Sequence, residues 1–315
     1  MGRAVNSQAG KFKPGDRVTV KLEDRPGHIR TPWYIRGKTG WIERVYGDFL
    51  NPESLAYGRD GLPKRTLYLV AFNQADVWGR TAGPTDKVLV DIYEHWLDRT
   101  SNEEVKMSDT PADAHGHEHP KHELSHYAKR IYAIRDLLVE KGVLTEKDIQ
   151  CQVEYQEARA PANGSKLVAH AWVDSAFKAR LIADPKAACA EMGIDAAAVN
   201  EFMVLENTEK VRHMVVCTLC SCYPRPILGR PPDWYKSFNY RQRAVVDPRG
   251  VMREFGLDLP DDVEVRVHDS TADIRYLVLP LRPKGTESHS EADLAKLVTR
   301  DSMIGVTDAL PAIPE

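Results

Sequence analysis

The sequence predicts a multidomain chain, a small β-barrel followed by an α+β domain, and three observations carry that prediction. Residues 1–100 contain short alternating stretches separated by turn residues. Residues 127–315 place apolar side chains at helical spacing, with helix caps and two strand-like runs. Between them, residues 101–126 shift to Ser, Asp, Pro, Ala and histidine. At 315 residues the chain is long enough for two domains, and 42% hydrophobic with 28% charged residues is ordinary for a globular protein.

In the first part, Asp16-Arg-Val-Thr-Val-Lys-Leu22 alternates apolar and polar residues as a half-buried strand does. Gly40–Tyr46, Thr66–Phe72 and Lys87–Tyr93 follow with strand-forming residues. Pro14-Gly15, Gly37-Lys-Thr-Gly40 and Gly58-Arg-Asp-Gly61 supply turns between them. Four or five short strands in this length suggest a small barrel.

Residues 101–126 bury little and read as a linker, with His115, His117, His119, His122 and His126 among charges. Loosely held imidazoles fix no metal geometry, so solvation or scavenging outweighs a built site here. Met107-Ser-Asp109 resembles a translation start, as if two reading frames had been fused. After the linker, Tyr127, Ile131, Ile134 and Leu138 recur at helix spacing and stop at Gly142. Thr145-Glu-Lys-Asp148 resembles a capping box, and Asp184-Pro185 is an N-cap followed by proline at the first helical position. Val263–Val267 and Tyr276–Leu279 read as strands, and Ser290–Asp293 caps a last helix.

Lys+Arg at 43 against Asp+Glu at 46 gives no basic field for nucleic acid. The longest apolar runs, such as Leu67–Phe72, are too short to cross a membrane, and Met1–Phe12 has no apolar core of a secretory leader. Five cysteines, an odd number and mostly clustered, do not form a disulfide framework, which makes the cytoplasm the default address.

Three of those cysteines, Cys217, Cys220 and Cys222, fall in Val216-Cys-Thr-Leu-Cys-Ser-Cys-Tyr-Pro-Arg-Pro226. Three readings stay open from spacing alone. One is a structural zinc site with His213 as fourth ligand, although zinc usually takes its ligands from two separated knuckles. Another is a Cys-x-x-Cys redox pair, which leaves the third cysteine unexplained. The third is a claw of three thiolates and the backbone amides of Ser221 and Cys222. Such a claw needs a strongly Lewis-acidic ion, and nearby cations or sulfur oxygenation to offset its five negative charges.

The cysteine motif, with Ile227-Leu-Gly229, Pro231-Pro-Asp-Trp-Tyr-Lys236, Arg275-Tyr-Leu-Val-Leu-Pro280, Arg282–Glu287 and Val298–Gly305, resembles the α-subunit of the nitrile hydratase family over residues 127–306. Gly27-His-Ile-Arg-Thr-Pro32, Tyr34–Gly40 and Val90–Leu97 resemble the C-terminal half of that family's β-subunit. The resemblance implies an SH3-like barrel for residues 1–100 and a metal-binding α-like domain for 127–315. It implies a metal held by the sulfurs of Cys217, Cys220 and Cys222 and the amide nitrogens of Ser221 and Cys222. It also implies sulfinic acid at Cys220 and sulfenic acid at Cys222, successive rungs of thiolate oxidation. Thr218 matches the cobalt-type pattern, where iron-type members usually carry Ser, so cobalt is expected ahead of iron. Arg30 matches the arginine that hydrogen-bonds the oxidised cysteines, a role suited to a planar, permanently charged donor. Cys151 and Cys189 are expected to be plain thiols.

Two departures from the family pattern bear on function. The helical N-terminal half of the β-subunit is absent from the resemblance, which implies a separate helical partner and a hetero-oligomer. Arg225 stands where nitrile hydratases usually carry Trp, and Tyr-Pro-Arg-Pro-Ile-Leu-Gly is similar to the γ-subunit of thiocyanate hydrolase. Arg230 also departs from the usual Leu. The expected activity is hydration of a carbon–nitrogen triple bond with catalytic Cys222, Arg30 and Ser221, and with Arg225 as substrate-binding residue. Thiocyanate is the preferred small-molecule substrate, an organic nitrile the alternative, and a non-catalytic zinc-binding interaction protein the alternative from another class.

Overall fold

The computed structural model describes residues 10–25, 27–79, 83–100, 126–145, 147–149, 161–197, 199, 201–220 and 222–312. The expected histidine-rich linker, up to residue 125, lies outside these. Contacts divide the chain into two compact units, residues 1–100 with 159–315, and residues 101–158.

In the larger unit the four expected N-terminal strands all form: β1 (Arg17–Val20), β2 (Thr39–Phe49), β3 (Arg65–Asn73) and β4 (Lys87–Tyr93), joined by β5 (Leu97–Arg99). The later strands are β6 (Glu201–Glu206), β7 (Val211–Val216), β8 (Glu264–Asp269) and β9 (Ile274–Leu279). One seven-stranded sheet has the order β5-β1-β2-β3-β4-β8-β7, and β6 pairs with β9 in a second sheet. β1 to β5 are joined by antiparallel pairings, whereas β4 with β8, β8 with β7, and β6 with β9 are parallel.

The barrel expected for residues 1–100 is not closed by any pairing among the described residues. The edge of β4 is instead taken by β8, with Lys87–Val90 opposite Arg266–Asp269. A strand edge presents a row of unpaired N–H and C=O groups, and a second strand satisfies them as well as closure would. β3 and β4 are buried along most of their length instead of alternating, because packing covers both faces of this part of the sheet. Tyr68, Val70 and Phe72 of β3 join the main core, while Leu67 packs in a second cluster with Tyr276 and Val278 of β9.

The helix signals hold. Asp184 accepts the Ala187 N–H at 3.1 Å, and Ser290 accepts the Asp293 N–H at 3.2 Å. Such caps satisfy donors that the first helical turn leaves orphaned. In the smaller unit the helix His126–Glu140 ends before Gly142 at φ +67°, a conformation that costs glycine nothing. Thr145 and Asp148 exchange the reciprocal bonds of a capping box. No helix among the described residues is long and apolar enough to cross a membrane.

One buried ion pair reinforces the joint between the N-terminal strands and the later ones. Arg249 donates from Nε to Asp86 Oδ2 at 2.7 Å and from Nη2 to Oδ1 at 2.9 Å. Its Nη1 reaches the carbonyls of Leu259 and Pro260, and Asp86 Oδ1 also accepts the Val265 N–H of β8 at 3.0 Å. Removing one partner would strand a buried charge. Asp86→Ala is therefore expected to lower unfolding stability by about 3–5 kcal/mol, read by chemical denaturation, with the Asp86→Ala/Arg249→Met double variant recovering part of the loss.

Candidate metal centre

β7 delivers Cys217 as the residue after its last, Val216. In register with Val216 is Asp269, the end of β8, which is fully buried. Its carboxylate accepts the Thr218 N–H at 2.9 Å and the hydroxyls of Thr218 at 2.6 Å and Tyr34 at 2.7 Å. Arg241 donates to the Thr218 carbonyl at 3.3 Å, so Thr218 is gripped on both sides. Further on, Tyr235 donates to the Cys222 carbonyl at 2.8 Å. Gly305 lies against the His213 carbonyl of β7 with φ +87°, where any Cβ would collide with the strand that carries the first cysteine.

This turn gathers the three sulfurs. Cys217 Sγ is 3.6 Å from Cys220 Sγ, which is 3.1 Å from Cys222 Sγ. All three lie within 4.8 Å of one another, with Cys217 buried, Cys222 half-buried and Cys220 exposed. A metal–sulfur bond of about 2.3 Å limits two ligating sulfurs to a separation of about 4.6 Å, and both contacts meet that limit. The donor set fits one thiophilic ion. Ser221, expected to contribute its amide nitrogen, lies outside the described residues.

No histidine or carboxylate among the described residues joins the cluster. His213, the fourth ligand of the zinc reading, is engaged elsewhere: its Nδ1 is 2.9 Å from Nε2 of His268 on β8. Burial pushes its pKa down to about 4, with Arg266 adding to the effect. A four-ligand tetrahedron from this turn and His213 is therefore not assembled. The two-cysteine redox reading fares no better, because Cys222 shares the cluster with the Cys217–Cys220 pair.

Thiols this close cannot ionise independently. Hydrogen bonds from Cys217 and Cys222, with help from Arg30, lower the Cys220 pKa, while those from Cys217 and Cys220, together with burial, push Cys222 upward. The first proton leaves readily, and further negative charge requires a cation. Arg275 adds cationic charge at Cys222, but the cation that faces all three sulfurs is Arg30. It comes from the loop after β1, and its Nε donates to the Thr271 carbonyl beyond β8 at 2.9 Å. Its guanidinium lies in hydrogen-bonding reach of Cys220 and Cys222; burial opposes its charge, but the three cysteines outweigh burial and raise its pKa.

The remaining expected residues fall in different places. Arg225 opens the short helix Arg225–Leu228 immediately after the cluster and is exposed, as is Arg230. Cys189 is fully buried, and burial pushes its thiol up to about 12. Cys151 lies outside the described residues. Asp269 and Arg241 went unnoticed in the sequence, and neither carries a local motif that announces its contact with Thr218. Tyr34 and Tyr235 sit inside the stretches that carried the resemblance, which was the available signal.

The model of the nitrile hydratase α chain matches residues 125–307, more than half of the sequence. The chain belongs to the nitrile hydratase family. The model of the C-terminal region of the nitrile hydratase β-subunit matches residues 2–99. The α-subunit of the low-molecular-weight cobalt-containing nitrile hydratase of Rhodococcus rhodochrous is 52% identical over 188 residues, spanning 59% of this chain and 90% of that one. The γ-subunit of the thiocyanate hydrolase of Thiobacillus thioparus is 43% identical over 192 residues, 58% of this chain and 79% of that one. Among solved structures, a double mutant of the Fe-type nitrile hydratase of Comamonas testosteroni Ni1 aligns with a TM-score of 0.55 and 44% identity, covering 60% of this chain and 94% of that one. Both halves of this nitrile hydratase family member thus match separate subunits of the family.

The thiols differ enough to be told apart chemically. In metal-free protein at pH 8, a thiol with a pKa near 12 is ionised to only about one part in ten thousand, and the thiolate is the nucleophile. Iodoacetamide followed by peptide mass mapping is expected to label Cys220 first and to leave Cys189 unlabelled until the protein is denatured.

Proposed function

We propose that this chain carries the metal centre of a cobalt-dependent enzyme that adds water across a carbon–nitrogen triple bond, with thiocyanate as its substrate. The observation that carries the reading is the three-sulfur cluster beneath the Arg30 guanidinium, assembled from regions that match two different subunits of the family. Cobalt is favoured by Thr218 between the first two cysteines and by the cobalt-containing relative at 52% identity.

Cys217, Cys220 and Cys222, with the amide nitrogens of Ser221 and Cys222, would hold the ion. When bound, a trivalent ion supplies Lewis acidity, polarising the triple bond or lowering the pKa of a water towards neutrality. The chain's own residues do the rest. Asp269 and Arg241 fix the Thr218 peptide, and Tyr235 fixes the carbonyl of Cys222, so the sulfurs are held before any substrate arrives. Cys220 and Cys222 are assigned the sulfinic and sulfenic states, and Arg30 donates to their oxygens. Cys222, at the half-buried edge of the cluster, is the group assigned to act on the incoming water as base or on the substrate carbon as nucleophile.

Thiocyanate is favoured by Arg225 on the segment that leaves the cluster, where a guanidinium suits an anion better than a neutral apolar tail. Thiocyanate and two waters then give carbonyl sulfide, ammonia and hydroxide. An organic nitrile is the second reading, favoured by the higher identity to the α-subunit of a nitrile hydratase than to the γ-subunit of thiocyanate hydrolase. The enzyme works as a hetero-oligomer with a helical partner resembling the N-terminal half of the family's β-subunit. The exposed Cys220 sulfur supports such a cover.

Metal analysis with peptide mass spectrometry of the 217–222 segment tests the centre. One cobalt per chain and added oxygen on Cys220 and Cys222 but not on Cys217 is the expected result, and zinc with three unmodified thiols in active protein would overturn it. Substrate choice is tested separately. Arg225→Trp is expected to cut kcat/KM for thiocyanate by about tenfold or more while sparing or improving a small neutral nitrile, because it removes a cation that draws in an anion and puts an apolar surface in its place. Equal effects on both substrates would remove Arg225 from substrate selection.

A further inference from the structure

Arg30 comes from the region that matches a β-subunit, and the cysteines come from the region that matches an α chain. The short turn between β8 and β9, residues 270–273, is bonded to both. Toward the cysteines, the Ser270 N–H donates to the carbonyl of Val216, the residue before Cys217, at 2.8 Å. Toward Arg30, the Thr271 carbonyl accepts the guanidinium Nε at 2.9 Å. The two bonds leave from consecutive residues, so the conformation of this turn sets where the guanidinium is held relative to the end of β7.

What fixes the turn is then decisive. The ladder between β4 and β8 stops at Val90 opposite Asp269. Beyond it the chain bends sharply, with the Thr271 N–H donating to the Asp269 carbonyl at 2.8 Å in a three-residue turn. The Ser270 hydroxyl donates to the Ile274 carbonyl at 2.6 Å and closes the turn on itself. Neither bond ties it to β4. The Thr271 hydroxyl does, by donating to the Asp91 carbonyl of β4 at 2.7 Å. Two residues along the same strand, the Tyr93 hydroxyl donates to Asp273 Oδ2 at 2.5 Å and holds the far end of the turn. Ser270 and Thr271 are fully buried, so water does not compete for these groups. The branched threonine side chain has few rotamers, which keeps its hydroxyl aimed at one acceptor. Without that hydroxyl the turn would keep its bonds to β7 and β8 but lose this tie to β4, and the Thr271 carbonyl could tilt away from Arg30.

We propose that Thr271 is a positioning residue for Arg30: its hydroxyl, anchored on the Asp91 carbonyl, fixes the peptide whose carbonyl holds the guanidinium over the cysteine cluster. The proposal rests on the role given to Arg30 above, and its closing experiment separates the two.

Thr271→Val keeps the shape and the branch and removes only the hydroxyl, whereas Thr271→Ser keeps the hydroxyl and removes only a methyl group. Both are compared with Arg30→Lys and with the Thr271→Val/Arg30→Lys double variant in the metal-loaded full chain. The readouts are kcat and KM, oxygen incorporation at Cys220 and Cys222 by mass spectrometry, and the thermal midpoint. Thr271→Val is expected to fold with its midpoint lowered by about 2–4 °C, the scale of one lost hydrogen bond. Its kcat is expected to fall about tenfold with KM little changed, and oxidation of the two cysteines to be incomplete, since a small displacement of a positioned group is enough. Thr271→Ser should restore kcat and oxidation to near the parent values, which a role in packing alone would not. The double variant should lose no more than Arg30→Lys alone, because the two residues act as one unit.

If Arg30→Lys collapses turnover and oxidation while Thr271→Val leaves both unchanged, Thr271 does not position Arg30. Losses that multiply in the double variant, or a Thr271→Ser variant as impaired as Thr271→Val, also overturn the proposal. If Thr271→Val does not fold, Tyr93→Phe decides, since it loosens the other end of the same turn: normal kcat and oxidation in that variant count against the proposal. Unchanged turnover and oxidation in Arg30→Lys overturn the role of Arg30 itself, and the proposal with it.

Discussion

The parallel ladder between β4 and β8 is the constraint on which the arrangement depends. Lys87–Val90 and Arg266–Asp269 hydrogen-bond directly, so the region matching a β-subunit and the region matching an α-subunit share one sheet. The ladder places the end of β8, with Asp269 and Thr271, between the loop carrying Arg30 and the turn carrying the cysteines. Asp86 and Arg249 secure the same joint from within the core. Because a one-residue slip in a sheet sends each side chain to the opposite face, the register of β7 with β8, Val216 opposite Asp269, fixes which carboxylate meets Thr218.

Charge is the second constraint, and it works against the first. Packing three thiols within 4.8 Å and burying one of them makes full ionisation costly. Burial also pushes Asp269, beside Cys217, up to about 7. A cluster with so much latent negative charge is tolerated because a guanidinium and a bound cation offset it. The same balance explains why Arg30 has to come from elsewhere in the chain: residues 217–222 contain no cationic side chain of their own.

Much of this was legible in the sequence. Alternation marked β1, strand-forming residues between turns marked β2 to β4, and Asp184, Ser290 and Gly142 marked helix ends, because caps, turns and propensities are local properties of the backbone. The closed barrel was inferred from strand count and from the resemblance to a β-subunit, and strand count says nothing about which edge is paired. The exposed Ile131, Ile134 and Leu137 of the helix His126–Glu140 make a related point: helical spacing signals a helix, but not what covers its apolar face.

For the site, the sequence by itself determined which donor atoms can meet, and no more. Three sulfurs at positions 217, 220 and 222 can meet one ion whatever surrounds them, since the turn that joins them is only six residues long. Only the tertiary structure decided what supports those sulfurs. Arg30, Asp269 and Arg241 lie outside the turn in sequence and come together through strand pairing and core packing. His213 shows the converse, since it lies four residues before Cys217 yet bonds to His268 on the neighbouring strand. Short-range spacing fixes what a chain can ligate, whereas the charges and hydrogen bonds that tune a site depend on which distant strands share a sheet.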